Sequence, residues 1–227
     1  MIERKPLRIE VENGRHVSAQ LEMPAGARSL LVLAHGAGAG MNHPFLENLS
    51  EQLGAAGIAT LRYQFPYVEE RRKIPDRAPL LMATIAAAVQ AGVKAARGLP
   101  VLAGGKSMGA RMTSQAAAES PLEGVSGLVF FGFPLHPPNR PGTKRADHLA
   151  RVTVPMLFLQ GTRDALADLK LLNPICKKLG SRAKLHIIDG ADHSFHVPKK
   201  SGRTDADVLR ELAQTTSSWS QNIVRRR

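Results

Sequence analysis

The sequence predicts an α/β protein with a mostly parallel sheet of about eight strands, an antiparallel hairpin at its N-terminus and helices on both faces. Short Val, Ile and Leu runs alternate with helix-forming stretches, and parallel strands need such crossover helices between them. The runs are continuously apolar, which is typical of strands covered on both faces. An apolar fraction of 43% in 227 residues is enough for such a core, and we expect one domain over 1–227.

The hairpin is predicted by two alternating segments, Leu7–Glu12 and Val17–Met23. Asn13 and Gly14 lie between them, and this dipeptide is a strong hairpin signal. The apolar run Leu30–Ala34 then predicts the first buried strand of the parallel part.

The remaining elements follow from the same periodicities and from proline and glycine positions. Two proline-containing segments, Tyr63–Pro79 and Pro134–Pro141, predict loops. We expect further strands at Ile58–Arg62, Val101–Ala103, Val125–Phe131, Pro155–Gln160 and Lys184–Ile188, and helices at Pro44–Ala56, Leu80–Arg97, Ala110–Glu119, Leu166–Leu179 and Asp205–Val224.

Composition narrows the classes of function. The single cysteine, Cys176, excludes a disulfide within the chain and a cysteine zinc site, and the histidines show no metal-ligand spacing, so we expect no metal or other cofactor. No run of 18 apolar residues is present, and the N-terminal sequence lacks the apolar region of a signal peptide. We therefore expect a cytoplasmic protein that does not enter a membrane.

A serine between two glycines carries the strongest chemical signal. Gly105 and Gly109 flank Ser107 at the predicted junction of a strand and a helix. This spacing suits a sharp turn that exposes the serine hydroxyl, with the helix N-terminus behind it. One alternative is a glycine-rich turn whose serine only caps the helix. A phosphate-binding loop is disfavoured because that motif needs glycine where Pro100 stands.

A base and an orienting acid follow in the order that such a serine requires. Asp164 comes after the strand Pro155–Gln160, and His193 comes after the strand Lys184–Ile188. Carboxyl ends of parallel strands share one edge of the sheet, so these side chains and Ser107 are expected to meet there. Taken alone, Asp164 could cap a helix and His193 could be a surface residue.

Other candidate residues surround this predicted triad. The peptide N–H groups of Ala37 and Met108 are the candidate oxyanion hole. Tyr67 either lines the pocket or packs in the core, and Arg111 either braces a loop through a carboxylate or lies at the surface. The candidate substrate-binding residues are His35, Gly36, Tyr67 and Arg111.

These motifs together resemble the α/β-hydrolase superfamily, particularly its small dienelactone-hydrolase-like members. Within them the chain is most similar to the group that includes testis-expressed protein 30 and a related domain of an NSL-complex subunit. The resemblance implies Ser107 as nucleophile, His193 as base and Asp164 as acid. It rests on segments 35–38, 62–67, 105–111, 133–138, 160–164 and 192–195.

The predicted function is hydrolysis of an ester or thioester of a small acyl group; the alternative is a non-catalytic interaction domain of the same fold. The stretch between Phe133 and Val154 is too short for a cap domain, so we expect an open, shallow site. The substrate is a small molecule, and the chain is expected to act as a monomer or homodimer.

The net charge of +12 favours anionic partners, but a solvated surface that keeps the protein soluble explains it equally simply. Only ten aromatic residues and no nucleic-acid motif are present, so a nucleic-acid partner is not expected. Basic clusters follow three predicted strands and are expected on the rim that carries the triad, which favours an anionic substrate; their members are Arg71, Arg72, Lys73 and Arg77, then Arg140, Lys144 and Arg145, then Lys199, Lys200 and Arg203.

Overall fold

One eight-stranded sheet organises the chain in a computed structural model that describes residues 2–225. The strands are β1 (Ile2–Glu10), β2 (His16–Pro24), β3 (Ser29–Ala34), β4 (Ile58–Tyr63), β5 (Val101–Lys106), β6 (Val125–Phe131), β7 (Met156–Gly161) and β8 (Ala183–Ile188). Their order in the sheet is β1-β2-β4-β3-β5-β6-β7-β8, with β1 and β2 antiparallel to their neighbours and the others parallel. The predicted α/β class and N-terminal hairpin are confirmed.

Helices cover both faces of this sheet. The helices are α1 (Pro44–Ala55), α2 (Pro66–Glu69), α3 (Ala78–Ala95), α4 (Met108–Glu119), α5 (Leu169–Leu179) and α6 (Asp205–Val224). In β3, Leu30 and Val32 belong to the core beneath α3, α4 and α5, whereas Leu31 and Leu33 belong to the core beneath α1 and α6. Both faces are therefore apolar, which explains the uninterrupted apolar run.

Helix α3 is the one described helix that is long and apolar enough to cross a membrane by length and composition. It lies instead against the sheet, and Leu81, Ile85 and Val89 are buried in the core on that side. Its hydropathy is explained by packing.

The segment Tyr63–Pro79 differs from the predicted loop because it contains the short helix α2. Pro66 occupies the first turn of α2, where its fixed φ suits a helix and no N–H is needed. Asp76 returns to this turn and accepts a hydrogen bond of 2.8 Å from the backbone N–H of Tyr67. A contact across the loop thus stabilises a helix that local composition disfavours.

Several element boundaries also differ from the prediction. Helix α5 begins at Leu169 rather than Leu166, because the Asp168 side chain caps it by accepting from the Lys170 N–H at 2.8 Å. The hairpin is closed by residues 11–15, so the first strand ends at Glu10, two residues before its predicted end.

Strand β5 extends to Lys106, three residues beyond its predicted end. A Cβ on Gly104 would lie 1.9 Å from the carbonyl oxygen of Val129 on β6. The missing side chain therefore lets β5 and β6 approach at the end that leads to Ser107.

We expect Gly104→Ala to lower the free energy of unfolding by about 3 kcal/mol or more, because the new methyl group would overlap backbone that cannot move independently. Gly142→Ala is the control, since a Cβ there would meet no atom within 4 Å. Denaturant unfolding of both variants measures the difference. Equal losses would contradict the close approach of the two strands.

Candidate active site

Three side chains from three loops form a continuous hydrogen-bonded chain. The Oγ of Ser107 lies 2.8 Å from Nε2 of His193, and Nδ1 of His193 lies 2.7 Å from Oδ2 of Asp164. The loops that carry them follow β5, β8 and β7, so all three lie at the carboxyl edge of the sheet. This arrangement provides a nucleophile, a base in contact with it and a carboxylate that orients the base.

The turn that carries Ser107 depends on the two flanking glycines. Ser107 has φ 52° and ψ −113°, which an L-residue rarely adopts. A Cβ on Gly105 would lie 2.5 Å from the carbonyl oxygen of Ala34, and one on Gly109 would lie 2.7 Å from the same atom. The backbone N–H of Ser107 donates to the carbonyl of Phe131 at 3.1 Å. The turn is therefore clamped between β3 and β6.

The carboxylate of Asp164 is buried and fully engaged. Its Oδ2 accepts from His193 and from the side-chain amide of Gln160, and its Oδ1 accepts from the Leu166 N–H at 2.8 Å. The alternative that Asp164 caps a helix is wrong, because α5 begins at Leu169 and is capped by Asp168. The contact with the Leu166 N–H closes the turn before that helix and leaves Oδ2 for His193. A fixed carboxylate holds the His193 ring in one orientation.

The loop that carries His193 is held by its own turn. Oδ1 of Asp192 accepts from the backbone N–H groups of Ser194 at 2.8 Å and His196 at 3.0 Å. Phe195 has φ 65°, and its buried ring stacks on Phe45 with centroids 5.8 Å apart. These contacts fix the position of the imidazole.

Lys106 is a further residue of the site that the sequence analysis did not identify. Its Nζ donates to the backbone carbonyl of His193 at 2.6 Å and lies 5.8 Å and 5.5 Å from the ring centroids of Phe45 and Phe195. Burial lowers the pKa of Lys106 to about 8, although Asp164 and Asp192 act in the opposite direction. Any residue can occupy the position between Gly105 and Ser107 in this motif. The sequence therefore gives only one signal for Lys106, which is that it directly precedes the nucleophile.

The candidate oxyanion-hole residues both border the nucleophile. Met108 is the first residue of α4, and Ala37 is exposed in the loop after β3. This loop passes close to the serine, since a Cβ on Gly36 would lie 3.6 Å from the Cβ of Ser107. Among residues 2–225, the N–H groups of Ala37 and Met108 have no hydrogen-bond acceptor. They are available to a negatively charged oxygen.

His35 is buried beneath that loop and does not border the cleft beside Ser107. Its Nε2 accepts from the Phe65 N–H at 3.1 Å, so its Nδ1 is protonated and donates to the Gly36 carbonyl at 2.8 Å. Burial lowers the pKa of His35 to about 4, so the ring is neutral. His35 therefore positions the loop after β3 that carries Ala37, and it does not contact the substrate cleft as the sequence analysis expected.

Tyr67 packs in the core and does not line the cleft beside Ser107. Its side chain is 1% exposed, and its ring lies 5.9 Å from His35 and 6.5 Å from Phe65, measured between centroids. Gly36 is also buried. The aromatic cluster supports the loop from below.

A cleft of about 350 Å³ opens beside Ser107. Arg111 and Arg145 are its two basic residues, and the side chain of Arg111 contacts Oε1 of Gln115 at 3.4 Å rather than the expected carboxylate. A larger groove of about 790 Å³ between β8 and α6 contains no triad residue. The cleft is lined by Ala37, Pro75, Asp76, Ala78, Leu81, Ser107, Met108, Arg111, Met112, Pro134, Arg145 and Leu166.

The expected basic rim is only partly present at this cleft. Arg72 is exposed and pairs with Glu70 at 2.7 Å and Asp76 at 2.6 Å, while Arg203 pairs with Glu211. Of the three basic clusters, only Arg145 lines the cleft. No group of three His, Cys, Asp or Glu residues suited to a metal ion occurs within the described range.

Comparison with known proteins identifies the family and relatives of the same fold. A model of the Alpha/beta hydrolase domain family matches residues 27–221. A dienelactone hydrolase from Anabaena variabilis has a TM-score of 0.76 at 24% identity, covering 97% of this chain and 98% of its own. A serine hydrolase without a lid from Xanthomonas campestris has a TM-score of 0.75 at 19% identity, covering 96% and 95%. At these identities the structural likeness shows the fold.

A curated relative is a Mycobacterium tuberculosis protein whose name calls it a phosphoribosyl transferase. It is 28% identical over 210 residues, which are 89% of this chain and 43% of that protein. The chain thus spans less than half the length of this relative.

The free energy of unfolding is expected to fall as the pH drops from about 6.5 to about 4, by about 3 kcal/mol for His35 alone. In this window the unfolded chain binds a proton at His35 that the folded chain excludes, so acid favours unfolding. His148, whose pKa is lowered to about 4 chiefly by burial, acts in the same direction.

Denaturant unfolding at several pH values measures this slope. It should be smaller in His35→Gln and unchanged in His16→Gln, whose ring is exposed. NMR titration of the His35 ring gives an independent readout, and a pKa near 6.5 would overturn the prediction.

Proposed function

The chain belongs to the alpha/beta hydrolase family, and from that premise we propose that it is a serine hydrolase that cleaves an ester or thioester of a small acyl group. The observation that carries the proposal is the unbroken contact from Ser107 to His193 to Asp164, with distances of 2.8 Å and 2.7 Å. An interaction domain has no need of this geometry, so the non-catalytic alternative is not favoured.

The reaction proceeds through an acyl-enzyme. The Oγ of Ser107 attacks the carbonyl carbon while Nε2 of His193 takes its proton, and Asp164 stabilises the imidazolium. The negative oxygen of the tetrahedral intermediate accepts hydrogen bonds from the N–H groups of Ala37 and Met108. His193 then protonates the leaving alcohol or thiol, and water, deprotonated by His193, releases the acid and restores the Ser107 hydroxyl.

The size of the acyl group follows from the cleft. Its volume of about 350 Å³ is at the small end of ligand pockets. The segment between β6 and β7 contains a proline-containing loop and 3₁₀ turns at Lys144–Arg151 rather than a cap. Small esters and thioesters therefore enter directly from solvent.

Several finer predictions remain proposals. They are membership of the group that includes testis-expressed protein 30, a cytoplasmic location, a single domain, action as a monomer or homodimer, and an anionic substrate. The M. tuberculosis relative is more than twice as long as the shared region, and its name describes that whole protein.

Ser107→Ala should abolish labelling by a fluorophosphonate probe and lower the turnover of short-chain esters by about 10⁴ or more, because the nucleophile is lost. Ser120→Ala is the matched control, since Ser120 is exposed at the end of α4. Mass spectrometry locates the label. Equal labelling of the wild type and Ser107→Ala, or none in the wild type, would exclude this nucleophile.

Asp164→Asn should lower kcat by about 10⁴ while leaving the fold intact, because an amide cannot hold the reactive tautomer of His193. Asp168→Asn removes the same charge four residues away, and asparagine remains an efficient helix cap. Hydrolysis rates and melting temperatures of the two variants separate catalysis from stability. A loss shared by both variants would argue against the orienting role.

A further inference from the structure

Two arginines border the cleft without a carboxylate partner. Arg111 on α4 and Arg145 in the segment between β6 and β7 are both half-buried. Within residues 2–225 neither forms an ion pair, and the one side-chain hydrogen bond of Arg111 is its 3.4 Å contact with Gln115. Guanidinium groups that are partly removed from water are normally compensated by an anion.

The surroundings disfavour the charge of Arg111. Burial and the charge of Arg145 lower its pKa. Arg111 also lies near the N-terminus of α4, where the helix dipole is positive. Among residues lining the cleft, Asp76 is the one carboxylate, and it is already bound by Arg72 and by the Tyr67 N–H. A ligand anion would supply the missing compensation.

The position of the cleft identifies which part of the substrate it receives. Ala37 and Met108 line it together with Ser107, whereas His193 is not among its lining residues. The leaving group must depart beside His193, because that ring supplies its proton. The cleft therefore lies on the acyl side of the scissile bond.

We infer that the cleft is a subsite for an acyl chain that ends in a free carboxylate, held by Arg111 and Arg145. The substrate class is the monoester or monothioester of a short dicarboxylic acid, and this inference rests on the proposed function. Arg111 follows Ser107 by four residues, about one helical turn, so both side chains lie on the same face at the start of α4, which favours a short acid.

The overall reaction balances without a co-reactant other than water. Ser107 forms an ester bond to the acyl carbon as the alcohol or thiol leaves with a proton from His193. Water then cleaves that bond, giving the dicarboxylate, one released proton and the free Ser107 hydroxyl.

The test compares benzyl hydrogen succinate with benzyl 4-methylpentanoate, in which a branched methyl pair replaces the carboxylate at similar size. We expect the wild type to favour the acidic ester in kcat/KM by about tenfold or more, as charge-assisted hydrogen bonds allow. Arg111→Met and Arg145→Met should each lower the ratio of the two kcat/KM values by about tenfold. Lys144→Met, an exposed neighbour outside the cleft, should leave the ratio unchanged.

Each other outcome overturns a defined part of the inference. Equal use of both esters by a protein whose Ser107 is labelled by fluorophosphonate would exclude the subsite and leave the proposed function standing. If Lys144→Met lowers the ratio of kcat/KM values as much as the two arginine variants do, the preference for the acidic ester comes from the overall positive charge of the protein and not from the subsite. A preference for 4-carboxybenzyl 4-methylpentanoate that depends on Arg111 would place the anion on the leaving group. Absence of both labelling and hydrolysis would overturn the proposed function together with the subsite.

Discussion

The sharp turn at Ser107 is the constraint on which the rest of the site depends. A non-glycine residue at φ 52° costs about 1–3 kcal/mol and persists only when its surroundings enforce it. Here Gly105 and Gly109 let the turn lie against the carbonyl of Ala34, and Phe131 accepts the serine N–H. The same turn directs the hydroxyl out of the sheet and starts α4 directly behind it. Nucleophile exposure and anion stabilisation are therefore consequences of one backbone conformation.

Both the side chain and the backbone of His193 are held by hydrogen bonds. Its ring contacts Asp164, and its backbone carbonyl accepts from the buried ammonium of Lys106. Gly132 makes room for this arrangement, because a Cβ there would lie 3.2 Å from the Lys106 Nζ and 3.5 Å from the His193 ring. Buried polar networks are stable only when every member has a partner, so the loss of one contact disturbs the others. The imidazole is thus already in position for the role of base that we propose.

The sequence predicts those features that have local signals and misses those that depend on distant contacts. The buried strands and the order Ser107, Asp164, His193 follow from apolar runs and from the edge that parallel strands share. The sequence predicts a loop where α2 forms, because the contact with Asp76 that stabilises this helix comes from outside it. The role of Lys106 depends on a carbonyl 87 residues further along the chain, which no local pattern encodes.

The charged residues also show that composition alone does not identify a site, because their effect depends on where the fold places them. The net charge of +12 describes a solvated surface, where ions such as Arg72 are paired or screened and contribute little to recognition. Arg111 and Arg145 differ because the cleft partly removes them from water and the start of α4 adds a further positive potential. In the reaction that we propose, the helix end that stabilises a developing oxyanion also makes the charge of Arg111 costly. A negative group in the cleft would relieve that cost, so the proposed substrate selection and the proposed catalysis both depend on the first turn of α4.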